Sequence, residues 1–212
     1  MAIKIFPIPV GDYQANCYVL SVGDEAVIVD PGDEAAKIFS YIASQALEPV
    51  AILMTHGHFD HIGALKEVQK KYNVPVYAHK KEQEYFTNSG FNLSWKVGRT
   101  PIEIHDLSDF VFLEEDQILE LLDQKIQTLH VPGHSLGSLA YHFIEAQLVV
   151  SGDALFKGSV GRTDMIHGNG EQLIDSIKAK LLTLPNETVV YPGHGGATTI
   201  LDEKRTNPFL QS

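Results

Sequence analysis

Short apolar segments alternate with turn-forming residues along most of the chain, and this pattern predicts a protein rich in β-strands. Runs of about four to eight apolar or β-branched residues bounded by Gly, Pro, Asp or Asn are typical of strands, because those flanking residues end regular structure. The predicted strands cover residues 2–8, 16–21, 26–30, 49–55, 74–78, 110–113, 117–121, 125–131, 138–144, 147–151 and 188–191.

Apolar residues at helical spacing predict helices between and after these strands. The predicted helices cover residues 33–46, 61–72, 80–87, 170–183 and 198–205. Asp33 is the expected N-cap of the first helix. Residues 88–109, which include the single tryptophan, are predicted to form a long loop beside the functional site. Strands followed by strand and helix units, twice over, indicate two sheets packed face to face with helices outside.

Composition and charge narrow the possible partners. The 212 residues are 44% hydrophobic and 20% charged, which favours one globular domain spanning residues 1–212. The formal net charge of −11 and the lack of a basic patch argue against a nucleic-acid partner. Cys17, the single cysteine, is predicted to be a buried apolar residue. Without a membrane-length apolar run or a signal peptide, we expect a cytoplasmic protein that acts on a small molecule and has no membrane partner.

The candidate chemistry is concentrated in residues 56–61, HGHFDH, directly after an apolar strand. This segment carries four potential metal ligands and three of the ten histidines of the chain. His56 and His58 can share an ion, because side chains two residues apart in an extended segment point to the same side. Asp60 and His61 follow at a predicted helix start, where negative charge is favoured. A solvated polar turn explains this density poorly, since His and carboxylates are preferred ligands of zinc and related metals.

Three later residues repeat the arrangement of a strand, a glycine and a metal-capable side chain. They are His134, Asp153 and His194, each directly after a glycine. A catalytic zinc ion uses about three protein ligands and leaves one position open. Five histidines and two aspartates therefore exceed the needs of one ion, but they suffice for two ions if one carboxylate bridges.

With these motifs in place, the chain resembles the metallo-β-lactamase superfamily. Residues 56–61 match its His-x-His-x-Asp-His signature, and residues 29–32 (VDPG) match near the start. The resemblance implies an αββα sandwich of the α/β (α+β) class, with two mixed sheets and helices outside. It assigns the ligands of a first metal to His56, His58 and His134, those of a second to Asp60, His61 and His194, and a bridging role to Asp153. It also implies that Asp30 steadies the ligand loop without binding metal itself.

Within the superfamily, the sequence looks most like the short, single-domain glyoxalase II group. The similarity lies in residues 152–164 and in the ending at 194–199 and 207–209. Arg162 falls where that group places a basic residue near glutathione, so it is the predicted substrate-binding residue. Asp60 and Asp153 are predicted to be catalytic as well as metal-binding. Classical glyoxalase II continues with a helical domain that completes the glutathione site, and the chain does not carry it, so recognition of glutathione stays open.

The resulting prediction is a binuclear hydrolase that cleaves a thioester such as S-D-lactoylglutathione to D-lactate and glutathione, with hydroxide supplied by two divalent metal ions. Zinc is the expected metal, with iron or manganese as alternatives. The rival functions are a persulfide dioxygenase with a single iron, a lactonase or phosphodiesterase of the same superfamily, and a non-enzymatic metal-binding protein. His61 beside Asp60 weighs against the classical β-lactamases. The physiological substrate, the native metal and the oligomeric state stay open.

Overall fold

The computed structural model of the protein describes residues 2–98 and 100–211. The first six strands follow the chain order and form one sheet. They are β1 (Lys4–Val10), β2 (Ala15–Val22), β3 (Glu25–Val29), β4 (Glu48–Leu53), β5 (Val76–His79) and β6 (Phe110–Leu113). Strands β1 to β3 pair antiparallel, whereas β3 to β6 pair parallel, so the sheet is mixed as predicted.

The second sheet is built from the remaining half of the chain. Its strands are β7 (Ile118–Leu121), β8 (Gln124–His130), β9 (Leu139–Phe143), β10 (Leu148–Gly152), β13 (Val189–Pro192) and β14 (Thr198–Thr199). Strands β11 (Leu155–Phe156) and β12 (Ser159–Val160) form a separate hairpin between β10 and β13 in the chain. The sheet has the order β14-β13-β10-β9-β8-β7. Strands β10 and β13 are parallel and the other pairs are antiparallel, so this sheet is mixed too.

The described part of the chain forms six α-helices. They are α1 (Ala35–Ser44), α2 (Phe59–Ile62), α3 (Leu65–Tyr72), α4 (Gln83–Thr87), α5 (Gly170–Ser176) and α6 (Ile200–Thr206). A 3₁₀ turn, Lys80–Glu82, leads into α4, and a wider π-helical turn, Ile177–Leu181, continues α5. Among the described residues, no helix is long and apolar enough to cross a membrane.

The alternation of side chains along the strands builds three apolar layers. In β2, Tyr18 and Leu20 face the layer between the two sheets, whereas Cys17 and Val19 face the layer under α1 and α3. This division follows from the two-residue repeat of a strand. A third layer, which includes Leu173 of α5, lies on the outer face of the second sheet. The predicted αββα sandwich is confirmed, and so is the burial of Cys17.

Some local predictions were wrong. Asp33 is not the N-cap of α1, because Glu34 occupies that position in a left-handed conformation without a side-chain cap. The helix predicted over 61–72 is interrupted at Gly63 and Ala64, and it starts earlier, at Phe59. The two-residue strands β11, β12 and β14 were not predicted, since such short segments carry no periodicity. Residues 88–98 and 100–109 contain no helix or strand, as expected of the loop, and Arg99 lies outside the described residues.

Candidate metal centre

The predicted ligands converge because they follow strands that end at the same edge of the sandwich. His56 comes just after β4 of the first sheet. In the second sheet, His134 follows β8, Asp153 follows β10 and His194 follows β13. These three strands run in one direction, since β8 and β10 both pair antiparallel with β9, and β13 is parallel to β10. The sandwich therefore collects loops from distant parts of the sequence at one site.

The first triad consists of His56, His58 and His134, all buried. His134 Nε2 lies 2.9 Å from His58 Nδ1 and 3.3 Å from His56 Nε2. Nitrogen atoms bound at about 2.0–2.1 Å to one tetrahedral zinc ion stand a little over 3 Å apart, so the spacing suits one shared ion. The three side chains therefore form a compact nitrogen-donor set.

Neighbouring oxygen atoms fix which nitrogen faces the site in two of the three rings, His56 and His134. His134 Nδ1 donates to the Arg162 carbonyl at 2.8 Å, and His56 Nδ1 lies 3.0 Å from the Thr55 hydroxyl. A proton on each Nδ1 leaves Nε2 with a free lone pair toward the triad. Lone pairs that face one another at about 3 Å repel, and a cation between them removes that repulsion. This donor set thus fits a bound metal ion.

Burial keeps the first triad neutral. Burial and the neighbouring imidazoles lower the pKa of His56 well below its usual value. The same causes lower the pKa of His58 to about 3, and burial also lowers the pKa of His134. Metal ions bind the neutral imidazole, so no proton has to leave at neutral pH.

The second triad is Asp60, His61 and His194. His194 Nε2 lies 3.3 Å from Asp60 Oδ2, and His61 Nε2 lies 4.0 Å from the same oxygen. His194 Nδ1 donates to the Tyr13 carbonyl at 3.1 Å, which turns its Nε2 toward the site. Unlike the first triad, this one contains a carboxylate and a partly exposed histidine.

Asp153 lies between the two triads. Its Oδ2 is 3.6 Å from His134 Nε2 and 3.5 Å from His194 Nε2, and its Oδ1 is 3.4 Å from His61 Nε2. Burial opposes ionisation, but His61 and the other imidazoles outweigh it and hold the pKa of Asp153 well below its usual value. Asp153 Oδ1 and His61 Nε2 are buried, and apart from their 3.4 Å contact with each other neither makes a hydrogen bond among the described residues. Unpaired buried donors and acceptors of this kind are costly, and a metal ion would satisfy them.

Asp30 supports the ligand loop as expected. It is buried and has a left-handed backbone, with φ of 49°. Its carboxylate accepts from the Thr55 amide at 2.7 Å, from the Thr55 hydroxyl at 2.5 Å and from His61 Nδ1 at 2.9 Å. Asp30, His56 and His61 also lie close enough together to form a third ligand group. Both Asp30 oxygens already accept hydrogen bonds, so we interpret Asp30 as a support for His61 and not as a metal ligand.

Glycine at position 193 is required by the close approach of the ligands. A Cβ atom there would stand 2.0 Å from Asp153 Oδ1 and 2.9 Å from His61 Cε1. Gly57, between the first two histidines, has a similar constraint, because its Cβ would meet Tyr85 Cβ at 2.5 Å. The small residue at 57 is therefore explained by packing against Tyr85.

The ligands open into a pocket of about 320 Å³. Its apolar walls come from Tyr13, Phe59, Leu93, Val97, Phe156 and Met165. Leu93 and Val97 belong to the long loop, which therefore does lie beside the site. A larger depression of about 600 Å³ runs along residues 120–125 and contains none of the predicted ligands.

Arg162 lines this pocket, but its guanidinium already has a partner. Its Nε and Nη2 atoms each donate to Asp164 at 2.9 Å, and both side chains are exposed. An anionic substrate group would compete with Asp164 for these donors. The main chain of Arg162 has a role that the sequence did not indicate, because its carbonyl accepts from His134 Nδ1.

Glu82 was missed by the sequence reasoning. Its side chain is fully buried, and its carboxylate accepts hydrogen bonds from residues next to the ligands. Burial raises the pKa of this carboxyl to about 7, although three donors act in the opposite direction. One sequence feature could have indicated its burial. Glu82 lies three residues before Tyr85 and four before Phe86, which places it on the apolar face of a short helical segment.

An αββα sandwich with an all-histidine triad beside an Asp-His-His triad at one edge is typical of a class of metal-dependent hydrolases. Residues 10–194 match the sequence profile of the metallo-β-lactamase superfamily, and the chain belongs to that superfamily. The probable metallo-hydrolase YqgX of Bacillus subtilis is 47% identical over 202 residues, which cover 95% of each chain. Hydroxyacylglutathione hydrolase GloC of Haemophilus influenzae is 36% identical over 206 residues, or 97% of each chain.

Solved structures show the same architecture over nearly the whole chain. The B3 metallo-β-lactamase BLEG-1 is 40% identical with a TM-score of 0.94, over 99% of this chain and 100% of that one. TTHA1623 in a di-iron-bound form is 39% identical with a TM-score of 0.86, over 97% and 100%. ETHE1 from Myxococcus xanthus is 26% identical with a TM-score of 0.76, over 97% and 83%. The chain is therefore a metal-dependent hydrolase of this superfamily.

Proposed function

We propose that the protein is a binuclear hydrolase of thioesters, with S-D-lactoylglutathione as the representative substrate. The observation that carries the proposal is the position of Asp153, whose carboxylate lies within 3.6 Å of histidines from both triads. A carboxylate shared by two triads suits a pair of adjacent ions. The similarity to GloC, named a hydroxyacylglutathione hydrolase, supports the thioester.

Each triad has a defined part in this proposal. One divalent ion would be held by His56, His58 and His134. The other would be held by Asp60, His61 and His194, and Asp153 would contact both ions. Zinc suits the nitrogen-rich first triad, and iron is an equally testable occupant. Ions bound there would supply a hydroxide nucleophile at neutral pH and a Lewis acid for the carbonyl oxygen.

The remaining chemistry falls to the protein's own side chains. Asp60 and Asp153 line the pocket, and both are held in the ionised form. As anions they would hold the ions and orient the hydroxide beside the substrate, which is the catalytic role we propose for them. The leaving thiolate needs no strong acid, because a thiol has a pKa of about 8.5. Arg162, at the pocket wall, is proposed to bind a substrate carboxylate in exchange for Asp164.

Turnover of S-D-lactoylglutathione by the metal-replete protein tests the proposal. We expect hydrolysis by the wild type and a rate at background in His58→Ala, because that variant removes a first-triad ligand. His105→Ala is the matched control, since His105 is 72% exposed at its side chain and lies outside the site. Full activity in His58→Ala, or no thioester cleavage by the wild type, would contradict the proposal.

A β-lactam is the second candidate substrate, because a structure 40% identical to this chain is named a B3 metallo-β-lactamase. The sequence prediction against the classical β-lactamases therefore stays a prediction. A chromogenic cephalosporin assayed beside the thioester separates the two, since the better substrate has the higher kcat/KM.

Iron content with oxygen uptake on glutathione persulfide tests the dioxygenase alternative in the same preparation. The cytoplasmic location and the lack of nucleic-acid and membrane partners stay predictions.

A further inference from the structure

Glu82 is a buried carboxylate that lies outside the predicted site. It ends the 3₁₀ turn between β5 and α4, and none of its surface is exposed. Its Oε2 accepts from the Gly57 amide at 2.7 Å. Its Oε1 accepts from the Ser135 hydroxyl at 2.7 Å and from the Gly137 amide at 2.6 Å. When Glu82 is ionised, these short contacts are stronger than hydrogen bonds between neutral groups.

The partners of Glu82 belong to the two loops that carry the first triad. Gly57 lies between His56 and His58, and Ser135 directly follows His134. The two loops are almost 80 residues apart in the sequence, and one carboxylate joins them. Because one oxygen binds each loop, the carboxylate sets the distance between them.

Tyr85, one turn further along, packs against the same two loops. Its ring centroid lies 5.7 Å from that of His58, and its Cβ atom leaves no room for a side chain at Gly57. Its hydroxyl accepts from the Leu136 amide at 3.4 Å. Glu82 and Tyr85 do not line the pocket, so they act on the site from behind.

The second triad is supported by other groups. Asp30 accepts from His61, and the Tyr13 carbonyl accepts from His194. Within residues 2–98 and 100–211, the hydrogen bonds of Glu82 go to Gly57, Ser135 and Gly137, and Gly57 and Ser135 directly adjoin ligands of the first triad. None of these bonds goes to a residue directly beside Asp60, His61 or His194. A loss of these bonds should therefore affect the two metal sites unequally.

We propose that Glu82 is a positioning residue that sets the geometry of the first metal site by cross-linking the loops of His56, His58 and His134. This inference rests on the binuclear site of the proposed function. It gives Glu82 no contact with substrate.

Cobalt(II) titration of the metal-free protein tests the inference without an activity assay. The first site is measured alone in a His194→Ala background, and the second alone in a His56→Ala background. Glu82→Gln is introduced into each of these two backgrounds. Gln keeps the shape of the side chain, but its NH2 group replaces one acceptor oxygen and would face the N–H group that this oxygen bound. Dissociation constants and the d–d absorption bands of the bound cobalt are the readouts.

We expect Glu82→Gln to weaken the first site by about 10–100-fold, the usual loss when an outer-shell support of a metal ligand is removed, and to change its d–d bands. The second site should change by less than about twofold, the spread we allow for an indirect effect. Glu84→Gln, an exposed glutamate two residues away, is the matched control and should change neither site.

Equal weakening of both sites, or an unchanged first site, would overturn the inference while leaving the binuclear site intact. If Glu82→Gln does not fold, Ser135→Ala removes one donor only and should weaken the first site selectively by a smaller factor. A wild-type protein that bound fewer than two cobalt ions would overturn the proposed function, and the inference with it.

Discussion

Burial and neighbouring carboxylates act in opposite directions on the pKa values of the histidines at the candidate metal centre. The rings of the first triad stay neutral because a charged imidazole would lose its hydration and face other imidazoles. His61 is the opposite case, since burial is outweighed by Asp153 and Asp60, which raise its pKa well above the usual value. One site therefore holds rings of opposite proton affinity, and the direction of each pKa shift depends on whether the neighbouring carboxylates outweigh burial.

His79 shows the same effect away from the metal centre. Burial, with help from His130 and Lys81, lowers its pKa to about 4, and its ring stacks on His130 at 4.2 Å. Between pH 6.5 and 4 the unfolded chain binds a proton at this residue and the folded chain does not. We therefore expect the free energy of unfolding of the metal-free protein to fall by about 1.4 kcal/mol per pH unit over this range from His79 alone.

Urea unfolding at pH 8 and pH 5 checks this expectation. In His79→Gln the pH-dependent component disappears, so the stability difference between variant and wild type should shrink by about 2 kcal/mol at pH 5. His105→Gln, which replaces an exposed histidine, should keep the wild-type pH dependence. Parallel curves for His79→Gln and the wild type would show that His79 titrates normally.

Asp30→Asn separates the charge of Asp30 from its backbone conformation. Asn tolerates the left-handed region that Asp30 occupies. Its amide keeps one acceptor oxygen for the Thr55 amide, but it replaces the oxygen that accepts from the Thr55 hydroxyl and His61 Nδ1 with an NH2 donor. We expect the free energy of unfolding to fall by about 1–3 kcal/mol. Metal affinity at the second site should fall by about 10–100-fold, measured by the same cobalt titration. Unchanged values of both would mean that Asp30 is an ordinary turn residue.

At the scale of elements, the interrupted helix after residue 58 shows what sequence patterns miss. The periodicity predicted one helix over 61–72, whereas α2 and α3 are separated by Gly63 and Ala64. The cause is a tertiary contact, because Gly32, in the loop between β3 and α1, packs against the break between α2 and α3. A Cβ atom on Gly63 would stand 2.3 Å from the Gly32 carbonyl oxygen. Helix propensity contains no information about such a contact.

This packing reverses the usual effect of a glycine-to-alanine change. In an exposed helix the change stabilises by about 1 kcal/mol. Gly63→Ala should instead lower the free energy of unfolding, by about 1–3 kcal/mol, because backbone atoms must move apart. Thermal or urea unfolding measures this, with Gly196→Ala as the control, since its Cβ would meet open space. A stabilised Gly63→Ala protein would contradict the packing argument.

Across the whole molecule, the sequence was enough to predict the layers and the identity of the converging side chains. The succession of predicted strands and helices indicated two sheets packed face to face with helices outside, and the repeated strand-glycine-ligand pattern marked His134, Asp153 and His194. It could not predict Glu82 or the Arg162 carbonyl, because these contacts join segments far apart in the chain and carry no local signal. The ligand roles themselves stay predictions that the geometry supports.

The number of metal ions per chain is the most direct test of the account, because both triads and the shared Asp153 predict two. Elemental analysis of the purified protein should give two ions per chain in the wild type. It should give one in His56→Ala and one in His194→Ala, since each variant removes a ligand of a different triad. A wild-type protein with a single ion, or variants that both keep two, would contradict the binuclear site.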